Sequence, residues 1–343
     1  MAECRFLDGT VISDYGRPYI VAEVNSSHRG DINVAREMID KAVEIGCNCV
    51  KFQSWTTKSL YSRTYYESNP IAERFVKKFS LNELAIKELS KYCKKTGIAF
   101  SSTPYSEDEV DFLVDECNVP FVKIASMEIN NLSFLKYIGN KHVPVVLSTG
   151  MATTDEIIEA VGVLKKAGVN QMVILHCVSI YPTILDNVNL NNIIGLRELF
   201  HDFPIGFSDH TEGDAAAIAS VALGAGLIEK HFTLDRKIVG MDNGMATEPD
   251  EFSKMVDKCR AIQIAMGDKK RILVAEEIEQ RTKMRRSLIS IRDIKKGDII
   301  KENDIYAKRP GNGIPPNEID KIIGRKAKMD IKTDTMITFD QLI

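Results

Sequence analysis

The sequence predicts an α/β fold, a (β/α)8 TIM barrel followed by a small C-terminal domain. Short apolar runs alternate with amphipathic helical patterns, and this alternation indicates a parallel sheet. Eight such strand–helix units follow one another in residues 1–267, a length that suits a closed barrel. An open doubly wound sheet is the alternative. No Gly-x-Gly-x-x-Gly run follows the first strand, which argues against that alternative.

Each element is located by its pattern. Residues 4–16, with an Asp8-Gly9 turn, are typical of a hairpin that precedes the barrel. Strands are predicted at 19–24, 49–53, 98–102, 120–126, 144–150, 172–177, 205–208 and 227–231. Helices are predicted at 32–45, 81–96, 106–116, 131–140, 153–167, 190–200, 214–226 and 249–266. Residues 54–80 are predicted to form a polar loop.

The C-terminal part changes character. Residues 268–284 are charged and lack a strand signal, which indicates a linker with about one helical turn. Residues 285–343 contain short strands separated by turn residues and are predicted to form a second domain.

Composition excludes several classes of partner. The 45 basic and 48 acidic residues give a net charge of −3, which offers no argument for nucleic acid or an anionic membrane. No apolar run approaches the length of a membrane span, and the N-terminus lacks an apolar signal segment. The seven cysteines have no regular spacing and indicate free thiols in a reducing compartment. We therefore expect a cytoplasmic protein.

Two histidines, His210 and His231, end neighbouring predicted strands. In parallel α/β proteins the ligand site lies at the carboxyl ends of the strands. Two imidazole nitrogens at one place predict a site for a divalent metal ion. The alternative is a pair of core histidines that are hydrogen-bonded to their neighbours.

Two lysines, Lys51 and Lys123, lie within otherwise apolar strands. Because a buried lysine costs several kcal/mol unless it is paired, the sequence predicts a bound anion nearby, most simply a phosphate. A structural ion pair between Glu23 and one lysine is the alternative. Other polar residues cluster at the same strand ends: Gln53, Ser126, Glu128, Ser148, His176, Ser179, Tyr181, Ser208, Asp209 and Lys230.

These segments resemble the sialic acid synthase family, which makes nine-carbon keto-sugar acids from phosphoenolpyruvate and an N-acylated hexose. The matching segments, in chain order, are Ala-Glu23 with His28 and Gly30, Val-Lys51-Phe-Gln53, Ser-Thr103-Pro, Val-Lys123-Ile-Ala-Ser126 with Glu128, Leu-Ser148-Thr-Gly150, Tyr181-Pro-Thr, Ser208-Asp-His210-Thr and Glu-Lys-His231-Phe. Residues 286–343, with Lys-Arg309-Pro-Gly-Asn-Gly313, resemble the antifreeze-like (SAF, β-clip) domain of these synthases.

The resemblance implies an activity and residue roles. A nonulosonate synthase would condense phosphoenolpyruvate with N-acetylmannosamine or a 2,4-diacetamido analogue and release phosphate by C–O cleavage. His210 and His231 would bind Mn²⁺, with Mg²⁺ or Co²⁺ as alternatives, to polarise the aldehyde. The implied catalytic residues are Glu23, Glu128, Lys51 and Lys123, with the two glutamates transferring protons. The implied substrate-binding residues are Gln53, Thr103, Ser126, Ser148, Ser179, Tyr181, Ser208, Asp242 and Arg309. The family also implies a homodimer with a swapped C-terminal domain, in which Arg309 reaches the partner's sugar.

Some positions depart from the family pattern and leave the sugar open. Many members have Asn where this chain has Ser27 before His28, some have Asn at the position of Ser179, and the loop around Asp242 lacks the Gly-Pro-Asp of many members. The Arg309-Pro-Gly-Asn-Gly run favours the sialate and legionaminate branches over the pseudaminate branch.

Two other functions remain open. One is a Schiff-base aldolase with Lys123 or Lys51 as nucleophile, and the other is a non-catalytic sugar-binding homologue. No role is assigned to His28 or His176.

Overall fold

The computed structural model describes residues 2–343. It divides into two compact units, one ending at Gly267 and the other beginning at Asp268. Within residues 2–343 no helix is both long and apolar enough to cross a membrane.

The first unit opens with the predicted hairpin, which is confirmed. Strands β1 (Glu3–Arg5) and β2 (Val11–Ser13) pair antiparallel. Phe6 and Ile12 are buried in one cluster with Phe121 and Leu227, residues at the N-terminal ends of barrel strands. The hairpin therefore closes the N-terminal end of the barrel and leaves the opposite end for a site.

The barrel itself is an eight-stranded parallel sheet, as predicted. Its strands are β3 (Tyr19–Glu23), β4 (Cys49–Gln53), β5 (Ala99–Thr103), β6 (Val122–Ile124), β7 (Val145–Ser148), β8 (Met172–Cys177), β9 (Ile205–Asp209) and β10 (Leu227–His231). The first and last of these, β3 and β10, pair with each other, so the sheet wraps round. Between β5 and the start of β6, the Ser101 hydroxyl donates to the Phe121 carbonyl at 3.2 Å.

Helices surround the strands. They are α1 (Ile32–Ile45), α2 (Arg63–Ser68), α3 (Pro70–Phe79), α4 (Glu83–Thr96), α5 (Glu107–Asp111), α6 (Leu132–Gly139), α7 (Thr154–Lys166), α8 (Leu185–Val188), α9 (Asn192–Leu199), α10 (Ala215–Ala222) and α11 (Pro249–Met266). A π-helical turn, Phe112–Glu116, continues α5, and 3₁₀ turns form at Ser126–Glu128 and Asn243–Met245. Local signals set the ends of α1: Asp31 accepts from the Asn33 amide, and Gly46 ends the helix at φ 83°.

The prediction of a loop over residues 54–80 is wrong, because α2 and α3 lie within it. Asn69 caps α3 by accepting from the Ala72 amide, and Pro70 occupies the first turn. Val76 and Phe79 are buried against Trp55 in a small separate cluster. α2 has only six residues, whereas α3 carries an apolar stripe at helical spacing, Ala72, Val76 and Phe79, which packs on this cluster and which the loop prediction overlooked.

The second unit contains α12 (Ala275–Met284), β11 (Ser287–Ser290) and β12 (Ile305–Lys308), with 3₁₀ turns at Glu302–Asp304, Pro316–Lys321 and Phe339–Gln341. The two strands pair antiparallel around a core that includes Leu288 and Ile337. The expected single helical turn is wrong: α12 has ten residues, none of them buried. Such a helix has no apolar periodicity, while Glu276 and Lys283 complement its dipole.

Candidate active site

A cavity of about 270 Å³ lies at the carboxyl ends of the barrel strands. Its lining is polar and comes from all eight strands or the loops that follow them. The lining residues are Glu23, Lys51, Gln53, Thr103, Tyr105, Lys123, Ala125, Ser126, Met127, Ser148, Met151, Cys177, Ser179, Tyr181, Ser208, His210, Glu229 and His231. The cavity thus brings together most of the residues that the sequence predicted.

Both predicted lysines are fully buried at the floor of this cavity. Lys51 Nζ forms an ion pair with Glu23 and donates to Thr103 Oγ1 at 3.0 Å. Lys123 Nζ donates to Ser148 Oγ at 2.7 Å. The structural ion pair considered for Glu23 is therefore present for Lys51, whereas Lys123 has a neutral hydroxyl as its nearest partner.

A second carboxylate, Glu229, lies between the two lysines. Its Oε1 atom is 3.8 Å from Lys51 Nζ and 3.6 Å from Lys123 Nζ, and Ser208 Oγ donates to it at 3.3 Å. Glu229 is not among the predicted site residues, although it lies two residues before His231 and so faces the same side of the strand. Two lysines and two glutamates therefore share the floor of the cavity.

Burial and charge separate the pKa values of the two glutamates. Burial raises the pKa of Glu23 above its usual value, and Lys51 offsets this only in part. For Glu229 burial acts in the same direction, but Lys123 and Lys51 outweigh it and hold the pKa below its usual value. Glu229 is therefore the anchored anion of the group, and Glu23 is the carboxyl group that takes up a proton more readily.

Burial and charge also separate the pKa values of the two lysines. Burial lowers the pKa of Lys123, and the nearby Glu229 compensates only in part. For Lys51 burial is outweighed by Glu229 and Glu23, which raise its pKa. Lys51 is thus held as a cation by its carboxylates, while Lys123 gains most from an additional anion in the cavity.

Hydroxyl groups line the wall beside Lys123. Ser126 Oγ accepts from the Gly150 amide at 2.9 Å, and the backbone of Gly150 passes directly beneath Ser126 and Ser179. A Cβ atom at Gly150 would collide with Ser179 Oγ and lie 2.9 Å from Ser126 Oγ. The close approach of these hydroxyls thus requires glycine at this position.

Gly150→Ala is expected to raise the KM for an anionic substrate about tenfold to a hundredfold, because Ser179 Oγ and Ser126 Oγ must move away from the new Cβ and would then be misplaced as donors to a bound anion. The measurement is steady-state kinetics with thermal unfolding as a check on folding. Gly162→Ala is the matched control. Gly162 lies in α7, and a Cβ atom added there would meet nothing within 4 Å. An unchanged KM in Gly150→Ala would show that Ser126 and Ser179 do not contact the anion.

The two predicted histidines lie side by side at the cavity wall. Their ring centroids are 5.4 Å apart, and the Tyr181 ring is 4.2 Å from that of His210. His210 Nδ1 donates to the Val178 carbonyl at 2.7 Å, which directs Nε2 away from the backbone. Within residues 2–343 the ring nitrogens of His231 have no hydrogen-bond partner, which argues against a purely structural role for this residue.

The donor set fits a divalent ion at an open site. Burial, and then the neighbouring His210, lowers the pKa of His231 well below its usual value, so this ring is neutral and can act as a ligand. Burial also lowers the pKa of His210, but contacts with Cys177 and Val178 outweigh it and raise the pKa, so metal binding would release a proton. The Val178 carbonyl is the kind of outer partner that orients ligating imidazoles.

The protein itself supplies few ligands. In the described chain no group of three or more His, Cys, Asp or Glu side chains is arranged to hold a metal ion. An ion bound by His210 and His231 would therefore complete its coordination with water or substrate oxygens, as at open catalytic sites rather than closed structural ones.

The rim of the cavity carries groups that suit a sugar. Gln53 Nε2 donates to Glu23 Oε1 at 3.1 Å, and the Tyr105 hydroxyl donates to Gln53 Oε1. Tyr181 is half exposed above the histidines. Tyr105 is not among the predicted site residues, because it lies beyond the end of β5, where the alternation of faces no longer applies.

Three predicted site residues do not line the cavity. Glu128 is buried nearby, and its carboxylate accepts from Asn131 Nδ2 at 2.8 Å. Asp242 accepts from Asn25 Nδ2, and burial raises its pKa. Arg309 is an exposed residue of the second unit.

Four polar residues near the strand ends lie outside the cavity. Asp209 and Lys230 lie at the strand ends, as predicted, but they do not line the cavity and instead pair with each other at 2.7 Å. His28 Nδ1 accepts from the Gly30 amide at 3.0 Å, and burial lowers its pKa to about 4. His176 Nε2 contacts the Val188 carbonyl at 2.6 Å. His28 is bonded to loop backbone and His176 to the last residue of α8, which accounts for both without a role in the site.

The fold and cavity define a barrel protein whose strand ends enclose two buried lysines and a pair of histidines. Residues 38–271 match the model of the NeuB family, and residues 285–343 match that of the SAF domain. The chain belongs to the NeuB family and carries a C-terminal SAF domain, as the sequence motifs predicted.

Relatives of known name span almost the whole chain. The N,N'-diacetyllegionaminic acid synthase of Campylobacter jejuni subsp. jejuni serotype O:2 is 39% identical over 93% of this chain and 98% of the relative. The pseudaminic acid synthase of the same organism is 34% identical over 92% and 93%. The crystal structure of N-acetylneuraminic acid synthetase from Leptospira borgpetersenii serovar Hardjo-bovis, in complex with citrate, superposes with a TM-score of 0.74 at 33% identity, covering 81% of this chain and 96% of that one.

Proposed function

We propose that this protein is a nonulosonate synthase, which condenses phosphoenolpyruvate with an N-acylated hexose and releases phosphate. The observation that carries the proposal is the juxtaposition of two buried lysines, Lys51 and Lys123, with the His210–His231 pair in one cavity. The first pair suits the phosphate and carboxylate of phosphoenolpyruvate, and the second suits the carbonyl oxygen of an aldehyde. Membership of the NeuB family supports the same reaction.

The charges of the cavity explain why the proposed reaction needs both the two lysines and the two histidines. Lys51 and Lys123 are balanced by Glu23 and Glu229 when both glutamates are ionised. A phosphate and a carboxylate together bring between about two and three negative charges. Protonation of Glu23 and binding of a divalent cation would compensate this charge, while hydroxyl donors such as Ser148 take the remaining oxygens.

The proposed chemistry follows from these positions. Carbon 3 of phosphoenolpyruvate attacks the aldehyde carbon of the open-chain sugar, and a C–C bond forms. The new alkoxide takes a proton, and water adds to carbon 2 and loses one. Phosphate then leaves as the C–O bond breaks, which gives the 2-keto acid. When bound at the two histidines, a divalent ion, Mn²⁺ by preference, supplies Lewis-acid polarisation of the aldehyde.

The protein groups that bind and transfer protons are assigned as follows. Glu23, whose pKa burial raises, donates the proton to the alkoxide, and Gln53 holds its carboxyl group in place. Glu128 is the second candidate for proton transfer, on the basis of the family motif. Lys51, Lys123, Ser126, Ser148, Ser179 and Ser208 hold the anionic groups of phosphoenolpyruvate, with Thr103 fixing Lys51.

The proposed sugar is N-acetylmannosamine or a 2,4-diacetamido analogue. The legionaminic acid synthase named above is 39% identical to this chain, and the Arg309-Pro-Gly-Asn-Gly run favours the same branch; both support this choice. Gln53, Tyr181 and Asp242 would contact the sugar. We also propose a homodimer in which the C-terminal domain is exchanged, so that Arg309 of one chain completes the site of the other.

A Schiff-base aldolase is the second candidate, and one observation favours it. Burial lowers the pKa of Lys123, and a desolvated lysine with a lowered pKa is a better nucleophile. Borohydride reduction in the presence of an α-keto acid and a sugar separates the two reactions. A covalent adduct on Lys123 would support the aldolase, and its absence together with phosphate release would support condensation.

The decisive experiment measures phosphate release from phosphoenolpyruvate with a panel of N-acyl hexoses in the presence of Mn²⁺. We expect release only when a sugar is present, with a stoichiometry of one phosphate per keto acid formed. The control omits the sugar. Lack of release with every sugar, from folded and metal-loaded protein, would count against the proposal.

A further inference from the structure

A buried ion pair lies directly behind the two histidines. Asp209 and Lys230 are 1% and 2% exposed, and Lys230 Nζ is 2.7 Å from Asp209 Oδ2. They are register partners on β9 and β10, and each immediately precedes a histidine. Asp209 and Lys230 are therefore paired one residue before His210 and His231. Their side chains lie on the opposite face of the sheet from the two histidines.

The hydrogen bonds of this pair enclose the backbone of His210. Asp209 Oδ1 accepts from the Thr211 amide at 2.9 Å and from the Thr211 hydroxyl at 2.8 Å. Lys230 Nζ donates to the Thr211 carbonyl at 2.8 Å. Asp209 and Thr211, which flank His210, are thus hydrogen-bonded to each other. Both are also bonded to Lys230, which precedes His231.

Stability alone does not explain such a pair. A fully buried ion pair is on average no more stabilising than packed apolar side chains, because desolvation offsets its Coulombic attraction. What the pair does provide is fixed geometry: two contacts of Lys230 join the two neighbouring strand ends, and two contacts between Asp209 and Thr211 fix the chain around His210. A site that depends on two imidazoles from separate strands requires such a constraint.

We propose that Asp209 and Lys230 are positioning residues that fix the spacing and orientation of His210 and His231 for a divalent cation. This inference rests on the proposed function, because it presupposes that the two histidines bind the ion. Neither residue touches the cavity, so both act through the backbone of the strands.

The test is the affinity of the whole protein for Mn²⁺, without substrates, measured by electron paramagnetic resonance of the free ion. Lys230→Met is the most informative variant. Removing a positive charge near the site would strengthen cation binding by electrostatics alone, so a weaker affinity in this variant must come from lost positioning. We expect the Kd for Mn²⁺ to rise about tenfold to a hundredfold, as for other residues that orient metal ligands.

Two further variants keep the result interpretable. Asp209→Asn/Lys230→Met removes both buried charges, so it should fold better than either single variant and still bind Mn²⁺ weakly. Asp14→Asn is the matched control: Asp14 is also buried, pairs with Arg197 at 3.1 Å and accepts from the amide of Ile205, at the other end of β9. Asp14→Asn should lower the thermal stability and leave the Kd for Mn²⁺ within about twofold of the wild-type value.

The outcomes separate this inference from the proposed function. Wild-type affinity in the folded double variant, with tight binding by the wild type, would overturn the positioning role and leave the metal site standing. Failure of the wild-type protein to bind Mn²⁺ would overturn both. Weak binding in Lys230→Met and in the double variant, with normal binding in Asp14→Asn, would support the positioning role.

Discussion

Replacement of either His210 or His231 by alanine should abolish Mn²⁺ binding and lower kcat/KM by about a thousandfold or more. Polarisation of a carbonyl by a divalent ion contributes several kcal/mol to a transition state, and each 1.36 kcal/mol corresponds to a factor of ten in rate. Since the described protein supplies no third ligand group, losing one imidazole leaves the ion with a single protein ligand.

The same substitutions should leave the fold intact. Both side chains face the cavity and belong to none of the hydrophobic core clusters. Thermal unfolding should therefore change little, while metal content after dialysis against Mn²⁺ falls to background. Chelation of the wild-type protein should reproduce the loss of activity, and Mn²⁺ should restore it in the wild type alone.

His176→Ala is the matched control for a buried imidazole near the same strand ends. Its Nε2 atom contacts the Val188 carbonyl, and its ring stacks on Phe207 outside the cavity. This variant should be less stable and should keep its Mn²⁺ affinity. Activity that persists in His210→Ala or in chelated wild-type protein would exclude the metal-dependent reaction.

The alternation of residues along strands predicted much of this site. Lys51 and Gln53 share a face of β4, and the register places Glu23 beside Lys51 on the adjacent strand. The same rule, applied backwards from His231, puts Glu229 inside the cavity and Lys230 outside it. Lys230 lies at the strand end, as predicted, but on the face of β10 opposite to Glu229 and His231.

Other parts of the site depend on features that a single sequence does not contain. Tyr105 reaches Gln53 from beyond the end of β5, where the path of the chain is set by packing rather than by a period. The choice of Lys51 rather than Lys123 as the partner of Glu23 follows from strand order, because β4 pairs with β3 and β6 does not. The fold of the second unit was accessible only through the resemblance, because its strands are short and its helix has no buried face.

Lys51→Met should lower the free energy of unfolding by about 3 to 5 kcal/mol near neutral pH, the usual effect of removing one partner of a buried ion pair. Glu23 is 1% exposed and would keep only neutral donors, chiefly Gln53 and the Asn25 amide. Its side chain would then have to bury an unpaired negative charge or take up a proton.

The pH dependence of this loss identifies its cause. Burial already raises the pKa of Glu23 in the folded protein, and removing Lys51 removes the main opposing effect. A carboxyl group whose pKa is higher in the folded than in the unfolded state binds its proton more tightly when folded. The variant should therefore regain stability as pH falls from neutral towards the unfolded-state pKa, and lose it as pH rises.

Glu23→Gln in the Lys51→Met background should recover most of the lost stability at neutral pH, because no charge remains to be buried. Urea unfolding at several pH values measures this, and Lys41→Met, at an exposed pair with Glu44, should show no comparable change. The double variant should nevertheless have little activity, since the proposed mechanism uses Lys51 to hold phosphoenolpyruvate and Glu23 to donate a proton. Two results would contradict this account: a loss of stability in Lys51→Met that does not depend on pH, or no recovery of stability on adding Glu23→Gln. Either would mean that Lys51 stabilises the fold through packing of its aliphatic chain and not through its charge.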